Sequence, residues 1–190
     1  MIADEILKTG LVFMHYFASA AALMTIVRTD FFILSHYTNA LTPESCGRIH
    51  ASKTVVGIAL VILWLTGAAI CVQGYLQNPD YILNQKLWMK VAVVVTLTIN
   101  GFFLHRFAFR CVQPGARLCD ILPRARAALT LMATISSGSW IFASFLGIAR
   151  TLNDKQNFTN LAVVYVLLVT AIVVGGLITV SSSTTNKGIQ

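Results

Sequence analysis

The chain has four histidines, His15, His36, His50 and His105, and one lysine, Lys90, set inside an apolar stretch. Neutral imidazole carries a ligating lone pair into an apolar medium without a net charge. It is a common axial ligand of haem iron. A lysine beside a histidine suits an anion, a haem propionate or a quinone carbonyl. The structural alternative stands beside each residue. A histidine can bond a carbonyl or hydroxyl across helices, and Lys90 can snorkel to the interface. Other chemistries find less support. There is no G-x-S-x-G elbow for a nucleophilic serine. Cys46, Cys111 and Cys119 form no C-x-x-C pair, and with the histidines they make only a loose copper or zinc set. Met14, Met24, Met89 and Met132 are scattered, as core filler is.

The elements that must position these groups follow from composition. Of 190 residues, 56% are hydrophobic and 11% charged, and the mean hydropathy is +0.74. A soluble domain carries about 25% charged residues. That deficit excludes a secreted disulfide scaffold, a Rossmann enzyme and a soluble repeat array. Charge-free windows run over 9–27, 54–79, 91–105, 127–149 and 156–186. A helix crosses the hydrocarbon core with about 20 residues. The expected fold is therefore all-α: five transmembrane helices in one bundle, near 8–36, 50–77, 85–109, 126–150 and 158–180. One membrane domain covers 1–181, and 182–190 is a polar tail that frays. The apolar runs are continuous rather than alternating, which excludes a β-barrel. Asp4 and Glu5 stand where a signal peptide would be basic. Arg28 and Asp30 are expected to pair.

Orientation is read from the loops. The side facing away from the N-terminus, side B, holds nine of the fourteen basic residues, five of them arginines from Arg106 to Arg126. The excess of basic residues marks side B as cytoplasmic, with the N-terminus outside and the C-terminus inside. The net charge of +7 reports this orientation rather than nucleic-acid binding, since no aromatic residues interleave the basic ones.

Depth then divides the histidines. A helix rises 1.5 Å per residue, so His15 near side A and His105 near side B differ by about 15–20 Å. His36, His50 and His105 share a depth, and His50 with His105 is the expected axial pair of a haem near side B. Three polar-tipped stripes are expected to face inward: His15, Ala18, Ala22, Thr25 and Thr29; Lys53, Gly57, Val61, Trp64, Ala68 and Cys71, with His50 leading; Lys90, Val94, Thr98, Gly101 and His105. Ser136, Ser139, Ala143 and Gly147 mark a close helix contact. The fifth helix, with Gly175 and Gly176, reads as packing surface.

Segments 47–67 (GRIHASKTVVGIALVILWLTG) and 87–105 (LWMKVAVVVTLTINGFFLH), the early histidine of the first helix and Pro123 before the fourth carry a resemblance. Over 7–149 the chain resembles the small haem-containing membrane proteins of the HemJ-type protoporphyrinogen oxidase and copper-resistance D-type superfamily. The resemblance implies haem b and functional roles for His15 and Lys90. The chain departs from that pattern in its fifth helix, in AAALM at 20–24 where the family has W-x-x-G, and in the early position of Arg28. The expected function is a haem b protein of the bacterial inner membrane, with one haem or two. It would transfer electrons, linked to quinone or porphyrinogen. Its partners would be membrane lipid and a redox protein or a second copy of the chain, with no nucleic acid. The alternative is an accessory or transport subunit, a copper-related one included, with structural histidines.

Overall fold

A computed structural model describes residues 2–107, 110–149 and 156–185. Five α-helices account for most of them: α1 Ile2–Ser35, α2 Pro43–Gln77, α3 Gln85–Arg106, α4 Pro123–Ile148 and α5 Phe158–Thr185. Short 3-10 turns occupy Pro79–Leu83 and Leu118–Asp120. All five helices are long and apolar enough to cross a bilayer, so the chain is a multi-pass helical membrane protein by length and composition.

The first four helices begin before their hydrophobic windows. α2 starts at Pro43, not 50, because Thr42 caps it: its side chain accepts from the Ser45 amide at 3.1 Å, and Pro43 has no amide to satisfy. Glu44 and Arg48 then pair one turn apart at 2.7 Å. Charged residues end a hydrocarbon span without ending a helix. α1 begins at Ile2 with Asp4 and Glu5 in its first turn, where the helix dipole favours acids. α3 ends at Arg106 rather than 109, and α4 runs from 123 to 148 rather than 126 to 150. α5 continues through Thr185, into the segment expected to fray, while 186–190 lie outside the described residues.

α4 is the hub and packs against α1, α3 and α5, while α2 packs along α1. The main core runs through Ala18, Ala22, Ala59, Met89, Val93 and Trp140. Ser139 has no exposed surface; it bonds the Ile135 carbonyl at 2.6 Å and the Tyr165 hydroxyl at 2.8 Å. Gly147 receives Tyr16, whose hydroxyl donates to the Gly147 carbonyl at 2.5 Å. The small-residue face of α4 is thus a helix contact. Lys86, 3% exposed, donates to the Ala149 carbonyl at 2.5 Å and closes the C-terminal end of α4. On side B the two loops are stitched together: Leu41 donates to the Ala116 carbonyl at 2.9 Å, and Gly115, at φ +84°, returns a bond to Leu41 at 2.8 Å. Glycine tolerates that φ without strain. A second core of Tyr37, Leu41, Cys46, Ile49 and Leu118 lies beneath.

Candidate functional site

The sparse contact between α2 and α3 has a consequence at the side B half of the bundle. A cavity of about 810 Å³ opens there, walled by all five helices and by loop residues Val112, Leu118 and Ile121. On α4 its wall runs from Arg126 to Trp140, about 20 Å at 1.5 Å per residue. Most of the wall surface is apolar. Its polar members include Thr29, Asp30, Lys53, Thr98, His105 and Arg126. A smaller cavity of about 420 Å³, lined by Lys53, Gly57, Ile58, Val61 and His105, adjoins it along α2 and α3.

His105 lies on the wall of both cavities, within electrostatic reach of Lys53. His50 is exposed on α2 and is not part of either wall. Its backbone carbonyl accepts from Thr54 at 3.3 Å. The expected axial partners are therefore not gathered on one cavity wall. His36 sits at the end of α1. Its ring stacks on Phe32 with centroids 4.3 Å apart, and Nδ1 lies 3.1 Å from the Phe32 carbonyl and 2.9 Å from the Ser35 hydroxyl. These contacts satisfy the helix terminus.

His15 belongs to the opposite end. Its Nδ1 lies 2.8 Å from the Thr66 hydroxyl, and that hydroxyl donates its own proton to the Ile62 carbonyl at 2.6 Å. Thr66 therefore accepts from Nδ1–H, which leaves the lone pair of His15 on Nε2. The ring packs beside Gly67, where a Cβ would make ordinary contact with His15 Cε1 at 3.5 Å. Lys90, half-buried on α3, acts electrostatically on His15 and on Cys71. The structure thus brings His15 and Lys90 to one end of the bundle and His105 to the other.

The three stripes divide. Ala18 and Ala22 are buried in the core and Thr29 bonds Ser52 on α2 at 2.8 Å, so the α1 stripe is mainly a packing seam. Gly57 and Lys53 of α2 line both cavities and Val61 the smaller one, whereas Trp64 is on neither wall. Thr98, Gly101 and His105 of α3 line it. Asp30 does not pair with Arg28, because residues two apart point away from each other on a helix. It accepts instead from Ser137 on α4. Sequence reasoning missed that link and missed Arg126 as a wall residue, whereas Lys53 lies on a stripe expected to face inward. The signal for the first was a carboxylate deep in the first helix and a serine-rich patch in the fourth. Tyr37, 8% exposed and also on the wall, holds a buried hydroxyl with no hydrogen-bond partner among the described residues.

Among the described residues no group of three or more His, Cys, Asp or Glu side chains is placed to hold a metal ion. All four cysteines are free thiols. No family model matches this chain, and neither a curated protein nor a solved structure does.

Proposed function

We propose that the protein is a membrane electron-transfer protein and that the side B cavity is the seat of a flat, lipid-soluble redox cofactor, with haem b the first member of that class. The observation that carries this reading is the roomy, largely apolar cavity with one imidazole, His105, on its wall. The donor set fits a haem held by a single protein imidazole. His50 lies off the cavity wall, so the reading rests on His105. Haem b, when bound, supplies a one-electron iron couple. The chain's own contribution is the His105 imidazole, the cationic side chains of Lys53 and of Arg126, which also donates to the Cys119 carbonyl at 3.1 Å, and the largely apolar wall surface. His15, oriented through Thr66 as metal-ligating histidines commonly are by a second partner, would be the ligand of any second haem, near Lys90. The resemblance noted above, side B as the cytoplasmic face and a bacterial inner-membrane location belong to the same proposal.

The test is an absorption spectrum of protein purified in detergent with haem supplied during expression. A dithionite-reduced haem b band should be present in wild type and in His50→Ala and be lost or strongly altered in His105→Ala. No band in wild type overturns the haem reading. The bonds of His15 to Thr66 and of His36 to the end of α1 favour a second reading, an accessory subunit with purely structural histidines. Its sign would be loss of stability in His15→Ala and His36→Ala without any bound chromophore.

A further inference from the structure

The wall of the side B cavity carries Lys53, Arg106 and Arg126 against one carboxylate among the described residues, Asp30, which is already hydrogen-bonded by Ser137. The rest of the wall is mainly apolar surface, with hydroxyls at Thr130, Thr134 and Ser136 along α4 before Trp140, a ring with 1% of its surface exposed. A surplus of positive charge on the wall of a largely apolar cavity complements an amphiphile with an anionic oxygen head and a hydrocarbon body. Charged nitrogen donors to a carboxylate or phosphate make the stronger class of hydrogen bond. Tyr37 adds an independent sign of a polar ligand, since a buried hydroxyl without an acceptor is costly and a ligand oxygen would satisfy it.

The route follows from helix packing. α2 and α3 are the weakly joined neighbours in the bundle, bridged at mid-height by the Trp64 indole donating to Thr98 at 3.0 Å. Below that bridge lies the smaller cavity, which shares Lys53, Gly57 and His105 with the larger one. Gly57 has nothing within 4 Å of where a Cβ would stand, so no side chain closes the gap there.

Resting on the reading of this cavity as a ligand seat, we infer that it admits an anionic amphiphile sideways from the lipid between α2 and α3, with Lys53 meeting the head and the body lying against the apolar wall that includes Trp140. Two sources share that chemistry, an acyl acid of the membrane and the carboxylates of a porphyrin.

Trp140 is a built-in reporter. In a Trp64→Phe/Trp88→Phe background it is the sole tryptophan. Stearate brominated near its methyl end would be titrated into the detergent-solubilised protein, against the methyl ester of the same acid. The acid should quench saturably and bind about tenfold more tightly than the ester, and Lys53→Gln should erase most of that preference, as loss of a charged hydrogen bond implies. Equal quenching by acid and ester, or a preference that survives Lys53→Gln, overturns the inference. Should the background variant fold poorly, the thermal midpoint of wild type read with stearate and with methyl stearate gives the same answer, because only a ligand of the folded state raises it. Hemin that displaces the acid marks a porphyrin as a ligand of the same site. Failure of hemin to displace it assigns the site to acyl acids. The haem band is measured separately. A band without acid preference rejects this inference and keeps the redox reading, whereas acid preference without a band does the reverse.

Discussion

Adding one methyl group at Gly176 tests the helix packing that shapes the cavity. A Cβ built there would stand 2.6 Å from Thr134 Cγ2 and 3.4 Å from Thr130 Cγ2. Carbon atoms settle at about 3.5–4.0 Å, so the shortfall is roughly 1 Å. Thr134 cannot swing clear. It is β-branched, and its hydroxyl bonds the carbonyls of Thr130 at 2.8 Å and Leu131 at 3.0 Å. α4 and α5 must therefore part locally. Overpacking of this kind costs about 1–3 kcal/mol. Gly175 is the internal control, because nothing lies within 4 Å of its Cβ position. Gly175→Ala should gain about 0.5–1 kcal/mol from helix propensity alone. The two neighbouring substitutions should thus differ in sign. Thr134→Ser deletes the offending methyl and keeps the hydroxyl, so it should rescue Gly176→Ala with a coupling energy of about 1–2 kcal/mol. The assay is reversible unfolding in mixed detergent micelles followed by circular dichroism. Equal stability of Gly175→Ala and Gly176→Ala, or no coupling with Thr134→Ser, would refute the α4–α5 register.

Ser137→Ala should cost about 1–3 kcal/mol because Asp30 loses its hydroxyl donor, while Arg28→Ala on the exposed face should stay within about 0.5 kcal/mol; the same unfolding assay separates them. Burial of Tyr81 against α2, with Cys71 adding to the effect, pushes its phenol above the ordinary value. The folded protein then keeps a proton that the unfolded chain releases, so stability should fall as pH rises past about 10, and Tyr81→Phe should flatten that fall in unfolding curves taken at several pH values. Orientation is checked with a membrane-impermeant maleimide. Cys111 and Cys119 should label in inside-out vesicles and stay unlabelled in intact cells, and the opposite pattern would turn the bundle over.

The sequence by itself determined the solvent and the elements. Too few charges and five apolar windows leave only membrane-crossing helices, because an unpaired backbone cannot sit in hydrocarbon. The stripe through Ser139 and Gly147 foretold a close helix contact, since small residues permit nothing bulkier there. Helix ends were less legible, because Thr42 and Asn84 cap helices through local geometry that hydropathy does not register. The tertiary structure decided which polar groups meet. Depth along a helix is a matter of counting residues, so His15 and His105 are separable from sequence alone. Which face meets which neighbour depends on the rotation and order of the helices, and that arises from the sum of all contacts. For that reason Asp30 turns to Ser137 rather than Arg28, His50 falls off the cavity wall that His105 lines, and Lys53 and Arg126 come to share one cavity.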